Sequence, residues 1–220
     1  MRKLPGVFLA IVLLLGLATT PASAQGDSWK NKWYWGAQSG AFIYSTPTQS
    51  HEAAFDIGGH WLITRDRVAL DVAIDQLFFQ DNTTSTVPDA SSTNGTRTVS
   101  FSNGRRVQLE LYAMPMDGPI QVFLGGGFAI HQITDAKAQG TFASQAQQTA
   151  VARIVDDQDT KAFAVLGGGV QYLIGRWAVF GRYQYIPQAE DFLLTSEQHA
   201  ITGGIRFALT RSSEDISTKR

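Results

Sequence analysis

From residue 33 to residue 209 the chain alternates apolar and polar positions with a period of two, interrupted by polar or glycine-rich segments. That period marks strands whose two faces meet different surroundings. It predicts eight strands, at 33–45, 53–64, 67–79, 106–114, 119–133, 162–174, 177–188 and 197–209. In the second, Phe55, Ile57, Gly59, Trp61 and Ile63 share one face, and Asp56, Gly58 and His60 the other. In the third, Val68, Leu70, Val72 and Ile74 oppose Asp71 and Asp75. In the fourth, Val107, Leu109, Leu111 and Ala113 oppose Gln108, Glu110 and Tyr112. The last two set Trp177, Val179, Gly181, Tyr183 and Tyr185 against Phe180, Arg182 and Gln184, and Ile201, Gly203, Ile205, Phe207 and Leu209 against Thr202, Gly204 and Arg206.

The fifth and sixth strands each carry Leu-Gly-Gly-Gly, at Leu124–Gly127 and Leu166–Gly169. Glycine weakens an ordinary strand and is kept where the strand bends or lacks room for a Cβ. A small closed barrel imposes both conditions. By register, Gly125 and Gly127 share the polar face with Gln121 and His131, and Gly167 and Gly169 share it with Gln171. They would leave inner space for larger side chains such as Phe123, Phe180 and Arg182.

The connections alternate. Those after strands two, four and six are tight: Arg65-Asp66, Pro115 to Pro119 and Gly175-Arg176. Those after strands one, three, five and seven are longer: 46–52, 80–105, 135–160 and 189–196. The two longest read as polar loops, with TRTVSF (96–101) able to prolong a strand. The pattern is that of an all-β, eight-stranded antiparallel up-and-down barrel with both termini at the end of the short turns.

Soluble and membrane barrels both alternate, one with its apolar face inward and the other outward. Three features favour a transmembrane β-barrel. The lysines beyond residue 24 are Lys30, Lys32, Lys137, Lys161 and Lys219, none within a strand core. The polar faces hold small residues with a few charges of both signs, Asp56, Asp71, Asp75, Glu110, Arg182 and Arg206, suited to pairing inside a narrow lumen. The aromatic residues Trp33, Trp35, Trp61, Trp177, Tyr183, Tyr185 and Phe207 gather near strand ends, as at membrane interfaces. A soluble barrel carrying an apolar ligand is the alternative. After the N-terminal region no run of about 18 apolar residues occurs.

The N-terminus reads as a secretory signal peptide: Arg2 and Lys3, an apolar run from Val7 to Ala18, and Ala22-Ser23-Ala24 as cleavage site. The expected organisation is 1–24 signal peptide, 25–32 polar lead-in, 33–209 barrel and 210–220 polar tail. The chain has no cysteine, which excludes disulfides and a lipoprotein anchor. Its formal charge is −1, without a basic stripe, so nucleic acid is not an expected partner.

The signal peptide, the glycine-rich amphipathic strands and the closing GGIRFAL resemble the outer-membrane β-barrel domain family of Gram-negative bacteria, small opacity-type surface proteins. The resemblance covers roughly residues 33–209 and rests on pattern rather than a fixed motif. It implies an envelope protein with a structural or surface-binding role, in contact with outer-membrane lipids and lipopolysaccharide. It also implies insertion by the barrel assembly machinery, with Gly204, Phe207 and Leu209 as the matching positions of its signal. That family often ends at its terminal aromatic, whereas residues 210–220 follow here.

Catalysis would need a serine activated by a histidine that a carboxylate orients. The histidines are His51, His60, His131 and His199. None shows the His-x-Ser arrangement shared by lipid A deacylases. Ser196, Glu197 and His199, with His131 near the same rim, form the one candidate cluster, and a polar loop rim is the simpler reading. Asp156, Asp157 and Asp159 have calcium-type oxygens without the full calcium-loop pattern, so a solvated acidic loop is expected. The Asn-x-Thr triplets at Asn82 and Asn94 read as loop composition. No enzyme activity, cofactor or metal is expected, and no loop residue names a ligand.

Overall fold

The computed structural model describes residues 29–187 and 192–211. The signal peptide and residues 212–220 of the tail lie outside the described residues. Eight long strands, β1 (Lys32–Ser45), β2 (Glu52–Arg65), β3 (Val68–Phe78), β6 (Asn103–Ala113), β7 (Ile120–Ile133), β9 (Thr160–Ile174), β10 (Trp177–Ile186) and β11 (Thr195–Arg211), form a closed antiparallel barrel. Each pairs with its neighbours in the chain, and β1 closes the ring against β11. Three shorter strands, β4 (Thr84–Pro88), β5 (Thr96–Ser100) and β8 (Lys137–Ala138), form a separate sheet in the order β4-β5-β8.

The two long insertions, expected as loops, are folded. The first holds β4 and β5; the second holds β8 and a helix, α1 (Gln145–Gln158). The helix starts at Ser144, whose hydroxyl accepts from Gln147 N, while the Gln147 amide oxygen accepts from Ala143 N. This is close to a capping box, which satisfies otherwise orphaned donors. Val151 and Val155, one turn apart, are its buried residues. The last strand also runs to Arg211, two residues into the expected tail, where it pairs with Lys32. The first tight turn lies at Asp66-Arg67, one residue later than expected, with Asp66 at a positive φ of 48°.

The barrel is polar inside and apolar outside. Every large hydrophobic residue exposed among the described residues, Met116 apart, belongs to a barrel strand. On β7, Val122, Leu124, Phe128 and Ile130 are 39, 68, 66 and 50% exposed, whereas Gln121 and His131 are buried. A soluble barrel would reverse this.

The glycine triplets sit where a Cβ would meet neighbouring atoms. A Cβ on Gly125 would strike the carbonyl oxygen of Leu111, and one on Gly127 that of Leu109, both on β6. On β9 the space beside Gly169 is taken by the Phe123 ring, and that beside Gly167 by Glu110 and Gln184.

Candidate functional site

The barrel interior is built around three buried arginines, set at successive levels because Arg106 lies near the outer start of β6, Arg182 mid-way along β10 and Arg206 toward the inner end of β11. We call the end bearing the insertions the outer end. Arg106 bridges Asp56 at 3.1 Å and Asp75 at 2.9 Å. Asp75 also accepts from Gln38 at 2.6 Å and from Gln108. Arg182 pairs with Asp71 at 2.6 Å and Glu110 at 3.4 Å, and donates to Gln38 and Tyr112. Tyr112 donates to Glu110 at 2.7 Å, and Gln184 ties Glu110 to Gln108.

The six expected lumen residues are therefore all buried, but they do not all pair as foreseen. Arg206 has no ion pair among the described residues. It donates to His60 at 3.0 Å and Gln171 at 2.7 Å and lies 3.9 Å over the Phe180 ring. An aromatic face offers a guanidinium partial compensation without a counter-ion. The partner of Asp56 and Asp75 is Arg106, which the sequence reading passed over. It shares its face with Gln108 and Glu110, and that parity was the available signal. Within the lumen Arg106 and Arg182 thus hold carboxylates from neighbouring and opposite strands.

An apolar cluster packs at each end of the barrel. At the inner end Trp29, from the expected polar lead-in, packs with Tyr34, Leu62, Tyr112, Met114, Phe123 and Phe180. The Trp29 carbonyl accepts from Thr64 at 2.7 Å. At the outer end Phe42, Tyr44, Leu77, Ile133 and Phe163 of the barrel pack with Val87, Val99, Phe101, Val151, Val155 and Leu193 of the connections. The folded insertions are thus a cap whose core continues into the barrel. Polar clasps hold it. Ser85 donates to the Leu193 carbonyl at 2.7 Å, and Asp135 accepts from the backbone and side chains of Ser102 and Asn103.

Two cap carboxylates are held below the usual carboxylate range. For Asp89 the main cause is the hydrogen bond from Arg97, at 2.7 Å, aided by Ser91 and Gln147. For Asp135 burial alone would push the carboxyl up, but the Ser102 and Asn103 donors outweigh it. At the inner rim Asp117 is lowered by Lys30, at 2.7 Å.

The aromatic residues singled out earlier fall on the outer wall at two levels. Trp177, Phe207, Trp35 and Trp61 are side by side on β10, β11, β1 and β2, with Trp33 edge-on to Trp61 at 5.3 Å. Tyr183 and Tyr185 lie toward the opposite end, flanking His199. His199 bonds the Tyr183 hydroxyl at 2.7 Å, and no hydrogen bond among the described residues joins it to Ser196. His131 is inside the barrel, caged by Phe42, Phe163 and Phe192. The candidate catalytic cluster is not assembled. Asp156 and Asp157 are exposed near the end of α1, and no metal-holding group of three ligands occurs among the described residues.

A closed antiparallel ring with an apolar exterior, aromatic rims and an ionic interior defines a transmembrane β-barrel. No protein-family profile matches the chain, and no curated protein sequence matches it. Solved structures do match it in fold. One is the crystal structure of Neisserial surface protein A, NspA, with a TM-score of 0.51 and 11% sequence identity, covering 80% of this chain and 97% of that one.

Proposed function

We propose that this protein is an integral outer-membrane barrel of a Gram-negative envelope, of the opacity-type surface class, with a structural or surface-interaction role carried by its cap. It is neither a wide pore nor an enzyme. The observation that carries this reading is the inverted burial: apolar side chains outward, charged and polar ones inward. The signal-peptide pattern of residues 1–24 and the alternation of short and long connections support it, since outer-membrane barrels keep short turns on the periplasmic side and longer segments outside. The cap then faces the exterior, where a rigid scaffold presents recognition residues. Its ligand, the contact with lipopolysaccharide and recognition of the closing strand by the assembly machinery belong to the same proposal. The soluble-carrier alternative needs an apolar interior, and the lumen instead holds Arg106, Arg182, Arg206 and four carboxylates. Fractionation and gel mobility test the reading. The protein should be recovered with the outer membrane, and unheated samples should migrate differently from boiled ones. Recovery as a protein soluble without detergent would reject it.

A further inference from the structure

The outward wall carries very little charge. On the described outward positions of the barrel strands, charge occurs at Arg65 beside an inner turn, at Glu197 near the outer start of β11, and at Arg105. Arg105 is set two residues inside the outer end of β6 and is exposed. The arginines of the lumen each have several partners; Arg105 has no hydrogen bond or ion pair among the described residues. It is flanked across both neighbouring strands by amides: Gln76 of β3 and Gln132 of β7 are its register partners. The next outward row toward the inner end is wholly apolar, Ile74, Val107 and Ile130 in the same order. Phe78, one outward step further out on β3, is exposed and packs on Phe55 at 6.2 Å. The Gln76–Arg105–Gln132 row therefore lies between an apolar band and an aromatic rim.

We propose that this row is a binding site for the anionic phosphate of an outer-leaflet lipid headgroup. The inference rests on the reading that this wall faces lipid. A guanidinium held against hydrocarbon needs a counter-ion, and its cost grows with depth. None of the described residues supplies one, whereas the headgroup layer supplies phosphate. The guanidinium fork matches two phosphate oxygens at once. The adjacent strands are about 4.8 Å apart, so both flanking amides can donate to the remaining oxygens or to neighbouring headgroup hydroxyls.

The test uses the mature chain reconstituted in phosphatidylcholine bilayers containing spin-labelled phosphatidylglycerol or, in parallel, spin-labelled phosphatidylcholine. The motionally restricted fraction measures association with the wall. The anionic lipid should be favoured about fivefold at this site, the preference falling with salt. Arg105→Gln should abolish the preference and Arg105→Lys retain most of it. Arg153→Gln, on the exposed face of α1, should leave it unchanged. Equal preference in wild type and Arg105→Gln, or equal loss in Arg153→Gln, would overturn the site. Displacement of the lipid by millimolar inorganic phosphate would also overturn it, as a general anion site. Failure of the chain to enter bilayers at all would instead reject the membrane reading beneath it.

Discussion

Arg182 shows how the lumen is stabilised residue by residue. Its guanidinium satisfies Asp71 and Glu110 in a region closed to solvent, so removing it leaves two buried carboxylates unpaired. Arg182→Ala should therefore cost about 3–5 kcal/mol. Arg206→Met should cost less, about 1–3 kcal/mol, because it strands hydrogen-bond acceptors rather than anions. Urea titrations of the refolded protein in detergent would rank the two; an equal or reversed order would contradict the pairing described. In planar bilayers the wild type and Arg206→Ala should both be silent, since apolar clusters also pack at both ends of the lumen. Ion flow through either would contradict a sealed lumen. The ionic faces were legible from period-two parity alone. Arg206 was not placed with its true partners because cation–aromatic compensation leaves no opposite charge to find. Arg106 was missed because it sits where the strand pattern merges into the polar run Asn103-Gly104-Arg105.

At the scale of elements, the barrel strands and the cap were legible to very different degrees. Alternation runs through each barrel strand, so their existence and facing could be read directly. The cap is made of short elements. β8 has two residues, and α1 was hidden by its small and polar exposed positions. Two signals were present nonetheless: the Ser144-x-x-Gln147 cap and the Val151/Val155 pair at helical spacing. Val151→Asp should unfold the cap while leaving the barrel closed, seen as rapid proteolysis within 135–160 alongside unchanged heat-dependent gel mobility. Acid should act on the same element. Asp89 and Asp135 have carboxyls lowered by folding, so their contribution is complete above the ordinary carboxylate value near 4 and is lost as pH falls through the lower folded values. Protection factors of the cap amides, with the intrinsic pH dependence of exchange divided out, should fall below about pH 4 and stay flat from there to neutrality. A loss of protection centred near neutral pH would contradict this. The glycine repeat belongs to this scale too. Gly127→Val should abolish the folded band on gels, because its side chain meets the β6 backbone, whereas Gly181→Ala, facing open space, should be tolerated.

For the whole molecule, the decisive property is that the barrel is inverted: its charged and amide side chains are mostly inside and its large apolar ones mostly outside. The sequence could show two unlike faces but not which one met the interior, because parity is the same for a carrier and a membrane barrel. Lysine placement and the aromatic rims tipped the reading, and the exposure of β7 decides the geometry. The absence of native cysteine makes the central claim directly measurable by single-cysteine spin labelling along β7 in reconstituted bilayers. Labels at Val122, Leu124, Phe128 and Ile130 should collide readily with dissolved oxygen and scarcely with a water-soluble nickel chelate, while labels at Gln121, Phe123 and Ala129 should be shielded from both. Strong collision with the nickel chelate at Leu124 and Phe128 would contradict the account.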